Sequence, residues 1–246
     1  MQIVDAVWEK RNLGVDCCEI KLEQSDRIED FLEAINRYEK EYTVVKVPSN
    51  MPEYIFVAQE NGYQYVENIF SLYHNNVLPQ VNSLQERLLN QINYSVMDGE
   101  QIDKLFMKIR SGMFSTDRIA IDPEFSVAKA NERYIGWLKD EIKRGTKLYE
   151  MTYKDRAIGF FSLRDAGNGI YVAPLAGIYQ DVTIPGIGIA MDYFEIYETN
   201  KCGGKKVFIS VSSNNRGAFT IPLALGFSLD RIETVFIKHL KDNKKM

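Results

Sequence analysis

The chain has 246 residues, of which 45% are hydrophobic and 26% charged, a composition typical of a globular protein. Its formal net charge of −4 provides no global attraction to nucleic acid or to a membrane surface, so neither is predicted as a partner. No apolar stretch approaches the ~20 residues of a membrane span, and the N-terminus lacks the basic and apolar regions of a signal peptide. These features together predict a cytoplasmic protein.

The cysteines and histidines exclude two further classes of protein. Of the three cysteines, Cys17 and Cys18 are adjacent, so a disulfide framework is not expected. No cysteine or histidine spacing is typical of a zinc site, and no metal is predicted. His74 and His239 lie far apart in the sequence, which leaves little basis for histidine catalysis.

Residues 1–75 alternate between strand-like and helix-like segments. Strands are predicted over Cys17–Lys21, Tyr42–Val47 and Tyr63–Tyr73. Helices are predicted between them, over Ser25–Tyr42 and Met51–Asn61. Ser25 or Asp26 is placed to cap the first helix, and Gly62 fits the end of the second. This alternation predicts a layered α/β unit.

The middle of the chain contains a polar stretch followed by two helical segments. Asn76–Asp98 is rich in Asn and Gln and is interpreted as a connection between two halves, and Glu100–Arg110 has a helical apolar stripe. Farther on, Arg118 stands between Asp117 and Asp122. A structural ion pair and a phosphate clamp explain that arginine equally well.

The stretch from Leu175 to Tyr197 combines a strand, a glycine turn and a helix. An apolar run is followed by the polar loop Gln180–Pro185, and Gly186-Ile187-Gly188 opens a helical segment. This order directs backbone N–H groups and the positive end of a helix dipole at an anion. An ordinary strand-to-helix crossover, with glycines for close packing, is the alternative.

The C-terminal hundred residues resemble the acyl-CoA-binding core of the GNAT superfamily of N-acetyltransferases. The resemblance rests on four features in the family's order: a hairpin over Tyr149–Tyr153 and Ala157–Arg164, a splayed strand over Ile170–Tyr179 with the glycine turn after it, the strand Lys206–Ser212, and Asn215-x-x-Ala218 followed by Leu225-Gly226-Phe227. The glycine turn lies where the family has Arg/Gln-x-x-Gly-x-Gly. The ordered set is more specific than any one motif.

The resemblance implies a GNAT-like fold of the α/β (α+β) class, with a mixed, mostly antiparallel twisted sheet flanked by helices. Val57–His74 echoes Pro222–His239, since both contain a helix end, a glycine with an aromatic residue, and a long strand. We therefore predict an N-terminal partial GNAT-like α/β domain with its connection over residues 1–98 and an acyl-CoA-binding domain over residues 99–246. The Trp8…Leu13-Gly14 opening is similar to that of the two-domain TDP-fucosamine acetyltransferase branch.

The family resemblance also implies site residues. Acetyl-CoA is the implied co-substrate, and the implied acceptor is the primary amine of a small molecule, with an amino sugar nucleotide suggested by the two-domain branch. The implied cofactor-binding residues are Gly177, Ile178, Tyr179, Thr183, Ile184, Gly186, Ile187, Gly188, Ile189, Asn215 and Ala218. Arg118 and Asp122 are implied on the acceptor side, and a homodimer is a further prediction.

The sequence departs from the family pattern in three places. Thr183 replaces the usual Arg or Gln, and Pro185 removes an N–H donor from the pyrophosphate loop. Pro222 stands where the family has its Tyr general acid, and proline cannot protonate a thiolate. Tyr171 and Tyr179 are possible substitutes, of which Tyr179 is the candidate catalytic residue.

Asp181 and Glu195 are candidate bases, although Glu195 is interpreted first as a surface charge on its helix. Two functions follow from these observations. The leading prediction is an acyl-CoA-dependent N-acyltransferase; the alternative is an inactive GNAT-like acyl-CoA-binding or scaffold protein. A nucleic-acid-binding module is disfavoured by the net charge.

Overall fold

The structure is a computed structural model, and it describes residues 1–240. The strands are β1 Gln2–Asp5, β2 Cys17–Lys21, β3 Tyr42–Pro48, β4 Gln64–His74, β5 Ile92–Val96, β6 Lys147–Tyr153, β7 Arg156–Gly167, β8 Ile170–Ala173, β9 Gly177–Ile178, β10 Lys206–Ser212 and β11 Ser228–His239. The helices are α1 Val7–Leu13, α2 Ile28–Arg37, α3 Pro52–Glu60, α4 Ser83–Leu89, α5 Gly99–Arg110, α6 Arg118–Ile121, α7 Val127–Lys143, α8 Ile189–Lys201 and α9 Arg216–Ala224.

One mixed sheet of eleven strands runs through the whole described chain. The strand order is β1-β2-β3-β11-β4-β10-β8-β7-β6-β5, and β9 pairs with β7. Helices cover both faces of the sheet, and consecutive residues of a strand point to opposite faces. Phe160 packs in a cluster with α5 and α7, whereas Phe161 packs in a cluster with α8. The predicted fold class, a mixed twisted sheet flanked by helices, is confirmed.

The two ends of the sheet repeat one another with a constant shift of 164 positions. The shift carries the first residue of β3 to that of β10 (42 to 206), α3 to α9 (52 to 216) and β4 to β11 (64 to 228). The β4–β11 pairing obeys the same shift, since Gln64 opposite Ile237 becomes Ser228 opposite Tyr73. The bulges in this pair, at 66 and 230, are also 164 apart. The structure thus contains a repeat, and the echo noted in the sequence, Val57–His74 with Pro222–His239, matches it to within one residue.

The two halves of the repeat exchange their last strands. β4, from the first half, pairs with β10, and β11, from the second half, pairs with β3. Each half therefore completes the sheet of the other, and unfolding one half would expose strand edges in the second. β5 also pairs with β6. The division into residues 1–98 and 99–246 stays a prediction.

Three predicted elements differ from the structure. The predicted strand Ile170–Tyr179 is interrupted after Ala173, because Pro174 lacks the N–H that would continue the ladder. The connection Asn76–Asp98 contains α4 and β5, whose amphipathic patterns are too short to recognise by periodicity.

The helix predicted over Ser25–Tyr42 is Ile28–Arg37, and neither Ser25 nor Asp26 caps it. The Asp26 carboxylate instead pairs with the amino terminus of Met1 and accepts a hydrogen bond from the Glu23 amide. Within residues 1–240, no helix has both the length and the hydropathy that a membrane crossing requires.

Candidate functional site

The sheet opens between two parallel strands, β8 and β10. The strands are paired from Ile170 opposite Lys206 to Ala173 opposite Ile209. Beyond that point the β8 chain passes toward β7, where Gly177 lies opposite Phe160, while β10 continues alongside β4 as far as Ser212. The predicted splay is present, and it begins at Pro174.

The segment that leaves the sheet is held by a side chain. The Ser162 hydroxyl accepts a hydrogen bond from the Leu175 amide at 2.9 Å and donates one to the Leu175 carbonyl. The Tyr179 amide then donates to the Ile158 carbonyl at 2.9 Å. The separation of the strands is thus fixed by Pro174 and Ser162.

A cavity of about 650 Å³ occupies the opening and extends along the sheet toward the first half of the chain. Ala173–Ala176 and Ile209–Ser212 form its edges at the splay, and Phe114, Tyr134 and Trp137 line it from the α7 side. Asn215 and Ala218 line it at the start of α9. Its size is within the range of small-molecule sites in proteins.

The glycine turn lies beside this cavity and is not part of its lining. Gly186 has φ +75°, a conformation that favours glycine, and a Cβ at Gly188 would meet Ile221 Cδ1 at 2.9 Å. Gly188 is the N-cap of α8, a helix of 13 residues with no side-chain cap. The amides of Ile187, Ile189 and Ala190 donate to backbone carbonyls one turn earlier, so the feature that the turn places near the opening is the positive end of the helix dipole.

Asn215 and Ala218 are joined by a hydrogen bond. The Asn215 side chain caps α9 by accepting from the Ala218 amide at 3.1 Å. Pro222 is buried in the interior of the same helix. It is not among the residues that line the cavity.

Tyr179 faces a different recess from the main cavity. That recess, of about 250 Å³, is lined by Lys108, Ser111, Met113, Tyr179, Gln180 and Asp181. Burial raises the pKa of Tyr179. The Lys108 ammonium lies 4.9 Å from the centre of its ring. Tyr179 as the general acid stays a prediction, and its position outside the main cavity argues against it.

Asp181, a candidate base, is an exposed carboxylate. A hydrogen bond from Lys108 and a second from Arg156 lower its pKa to about 2. A carboxylate held ionised in this way is a weak proton acceptor near neutral pH.

Arg118 and Asp122 have structural partners. Arg118 donates a hydrogen bond to Glu9 at 2.8 Å, and Glu9 also accepts two from Arg133 at 2.9 Å. Asp122 lies 2.8 Å from the His239 ring and is not part of the cavity lining. Arg118 does line the cavity, and its Nε has no hydrogen-bond partner within residues 1–240. Their role in acceptor binding stays a prediction.

The prediction that Glu195 is a surface charge is wrong. Glu195 is only 2% exposed, and with Asp192, three residues earlier on α8, it lines the cavity. Burial raises the pKa of Asp192 to about 7, and burial together with the nearby Asp192 raises the pKa of Glu195. Oε2 of Glu195 has no hydrogen-bond partner among the described residues.

A third buried carboxyl, on the sheet itself, lines the same cavity. Glu67 on β4 is 2% exposed, and burial raises its pKa against the opposing effects of Ser212 and Arg118. The sequence analysis did not identify Asp192 or Glu67. Asp192 stands among apolar residues, which is a sequence signal of burial, whereas Glu67 is followed by Asn68 and has no comparable signal.

Comparison with known proteins places the fold among acetyltransferases. No protein-family model matches the sequence, and no curated protein matches it. The structure is similar to a GCN5-related N-acetyltransferase from Sphaerobacter thermophilus, with a TM-score of 0.65 and 11% identity over 100% of this chain and 78% of that one.

Two further structures show the same likeness. A tandem GNAT protein from the clavulanic acid biosynthesis pathway has a TM-score of 0.56 and 10% identity, over 91% of this chain and 75% of that one. A GCN5-related N-acetyltransferase from Kribbella flavida has a TM-score of 0.54 and 10% identity, over 91% and 81%. At these identities the likeness concerns the fold.

Proposed function

We propose that this protein is an acyl-CoA-dependent N-acyltransferase that acetylates the primary amine of a small molecule. The proposal rests on one observation above all: a GNAT-type sheet that opens between the parallel strands β8 and β10 onto a cavity of about 650 Å³. Backbone groups at the edges of such an opening can hold an acyl chain and polarise a thioester carbonyl.

In this proposal, backbone groups provide most of the contacts to the cofactor. The pyrophosphate of acetyl-CoA would lie at the turn formed by Thr183, Ile184 and Gly186–Ile189, where the uncapped end of α8 favours an anion. The pantetheine arm would follow the edge at Gly177–Tyr179 and pass Asn215 and Ala218 into the cavity. No group of three or more His, Cys, Asp or Glu residues within residues 1–240 is arranged to hold a metal ion.

The reaction forms one C–N bond and breaks one C–S bond. The protonated amine gives up two protons in becoming an amide; the leaving thiolate takes one and the other is released to solvent. The amine must therefore lose its first proton before it attacks the thioester carbon. An amino sugar nucleotide is the acceptor that the two-domain sequence resemblance implies, and that acceptor, the cytoplasmic location and the homodimer all stay predictions.

Titration calorimetry with acetyl-CoA tests the cofactor. We expect a Kd of about 1–100 µM for the wild-type protein, within the common range for enzyme substrates. Ala218→Phe would fill the start of α9 where it lines the cavity and should weaken binding at least about tenfold. Thr220→Phe, at an exposed position of the same helix, is the matched control. Failure of acetyl-CoA to bind the folded wild-type chain would contradict the proposal.

A second candidate function is a non-catalytic acyl-CoA-binding protein. It is favoured by Pro222, which stands where the resembling family has a tyrosine acid and is buried away from the cavity. A thiol-release assay over a panel of sugar, aromatic and aliphatic amines separates the two functions. Turnover with any of these amines supports the enzyme; tight acetyl-CoA binding without turnover supports the second candidate.

A further inference from the structure

Asp192 and Glu195 form a carboxyl pair one turn apart on the cavity side of α8. The two residues are 8% and 2% exposed, and both line the cavity at the splay. Oε2 of Glu195 has no partner within residues 1–240. Burial of a carboxylate without a partner is costly, so such a group needs a compensating charge or a proton.

The strand opening beside the pair supplies no such positive charge; the Lys and Arg side chains that line the cavity come from other elements, namely Lys21, Lys46, Arg118, Arg133, Arg144 and Arg231. The cavity-lining residues contributed by the β8 chain, by β10 and by the start of α9 are all uncharged. The pKa values of Asp192 and Glu195 are raised by burial and, for Glu195, by Asp192 itself; no lysine, arginine or histidine of the described chain lowers them. Glu67, in the same cavity, differs because the nearby Arg118 lowers its pKa and partly opposes the effect of burial.

The fold itself does not require acidic residues here. The shift of 164 positions that relates the two halves also carries the end of α2 to the end of α8 (37 to 201). By that shift, Asp192 corresponds to Ile28 and Glu195 to Phe31, and Phe31 is 0% exposed in an apolar cluster. The first half thus contains the corresponding helix with apolar residues at both positions. The acidic residues Asp192 and Glu195 are therefore a feature of the second half alone and not a requirement of the fold.

We propose that the Asp192–Glu195 pair is the subsite that binds the protonated amine of the acceptor. This inference rests on the proposed function and names the feature by which the acceptor is recognised, a primary ammonium group. The ammonium brings the positive charge that the two carboxyls lack, and three N–H donors for their oxygens. The pair lies at the strand opening, so an amine bound there is beside the edge at which the thioester would be held.

Ethylammonium is a probe that any primary-ammonium subsite accepts, and ethanol is its neutral analogue. In protein labelled with 13C at the carboxyl groups of Asp and Glu, we expect ethylammonium to shift the signals of Asp192 and Glu195 saturably, with a Kd of about 1–10 mM. Ethanol should leave them unchanged. In the double variant Asp192→Asn with Glu195→Gln, followed through the amides of α8, binding should weaken at least about tenfold.

Asp155→Asn removes an exposed carboxylate from the turn between β6 and β7 and is the matched control, with wild-type affinity expected. If the double variant does not fold, Glu195→Gln alone serves the same comparison. Equal ethylammonium affinity in wild type and variant, or no saturable shift up to about 200 mM, would overturn the proposal.

Acetyl-CoA affinity, measured on the same samples, separates this inference from the proposed function. Loss of ethylammonium binding with retained acetyl-CoA binding in the variant supports the subsite and leaves the cofactor site intact. Acetyl-CoA that fails to bind wild type, while ethylammonium still does, contradicts the acyltransferase and leaves a cation site.

Discussion

The two halves of the sheet contain corresponding strands and helices, but only in the second half do the parallel strands separate. In the first half, β2 and β3 run parallel through five paired positions, and α2 covers them with the buried Phe31, Ala34 and Ile35. In the second half, β8 and β10 part after four paired positions. The residues of α8 at the corresponding places are Glu195, Glu198 and Thr199, all buried.

The difference shows how one framework can be either closed or open. A parallel strand pair covered by an apolar helix is a packed core without space for a ligand. A pair parted by Pro174 and covered by a helix with acidic residues leaves a cavity that contains buried carboxyl groups, at a cost in stability. Burial of unpaired carboxyls at the opening is the kind of local strain that proteins retain at binding and catalytic sites.

The largest effect is expected when a residue of the second half is placed at the equivalent position of the first half. Phe31→Glu would place in the first half the residue that the second half has at the equivalent position. With no cavity there, the carboxylate is buried among apolar side chains, and we expect a loss of about 5 kcal/mol or more in the free energy of unfolding. Chemical denaturation measures this loss, with Glu33→Gln, an exposed change on α2, as control. A loss below about 1 kcal/mol would show that the two positions are not differently packed.

The junction of the halves should also respond strongly. Arg118→Ala removes one of the two arginines that neutralise Glu9, which is 0% exposed. Breaking a buried ion pair from one side costs about 3–5 kcal/mol, and we expect the lower part of that range because Arg133 remains. Urea denaturation of this variant and of Arg144→Ala, whose side chain is 61% exposed, tests the expectation. Equal losses in the two variants would contradict it.

The acidic pair gives the open half a characteristic pH dependence. Burial raises the pKa of Asp192 to about 7 in the folded protein from its ordinary value of 3.8, so the protonated form contributes stability at low pH that is lost as the pH rises through the folded-state pKa. We expect wild type to lose about 2–3 kcal/mol between pH 5 and pH 7 relative to the Asp192→Asn, Glu195→Gln variant.

Denaturation of both proteins across that pH range measures the difference. Because the comparison is between two proteins at each pH, the titration of their other groups cancels. Parallel curves for wild type and variant would show that neither carboxyl titrates abnormally.

The smallest effect should be the same in the two halves. Gly62 follows α3 with φ +83° and Gly226 follows α9 with φ +93°, and they are equivalent by the shift of 164. A Cβ would lie 3.7 Å from Lys238 Cε at the first site and 3.5 Å from His74 Nε2 at the second, so the backbone conformation is the main cost. We expect Gly62→Ala and Gly226→Ala each to destabilise the protein by about 1–2 kcal/mol. Thermal unfolding of both variants tests whether the turns are equivalent, and losses that differ by more than about 1 kcal/mol would show that they are not.

Sequence patterns predicted the elements that are periodic or bounded by strong turn residues. The strands Cys17–Lys21 and Lys206–Ser212 have the bounds expected, and in Lys206–Ser212 a β-branched and aromatic run ends at a polar residue. The short α4 was missed because seven residues form only about two helical turns, and β5 because its alternating Ile92, Tyr94 and Val96 lie within an Asn- and Gln-rich stretch.

The candidate site was only partly predictable for a different reason. The glycine turn and the Asn215–Ala218 cap are local in sequence, so their pattern is readable. The burial of Glu195 depends on a cavity formed by β8, β10 and α9, which are brought together only by the fold. A helical glutamate is exposed in most proteins, and the apolar neighbours Phe194 and Ile196 are the only signal in the sequence that Glu195 is buried.

The position of bound acetyl-CoA tests the account most directly. A crystal structure of the protein with acetyl-CoA should show the thioester in the opening between Ala173–Ala176 and Ile209–Ser212, with the pyrophosphate at the turn that contains Gly186 and Gly188. The acetyl group should then face the cavity that Asp192 and Glu195 line. Acetyl-CoA bound elsewhere on the molecule, with the opening between β8 and β10 empty, would contradict the account.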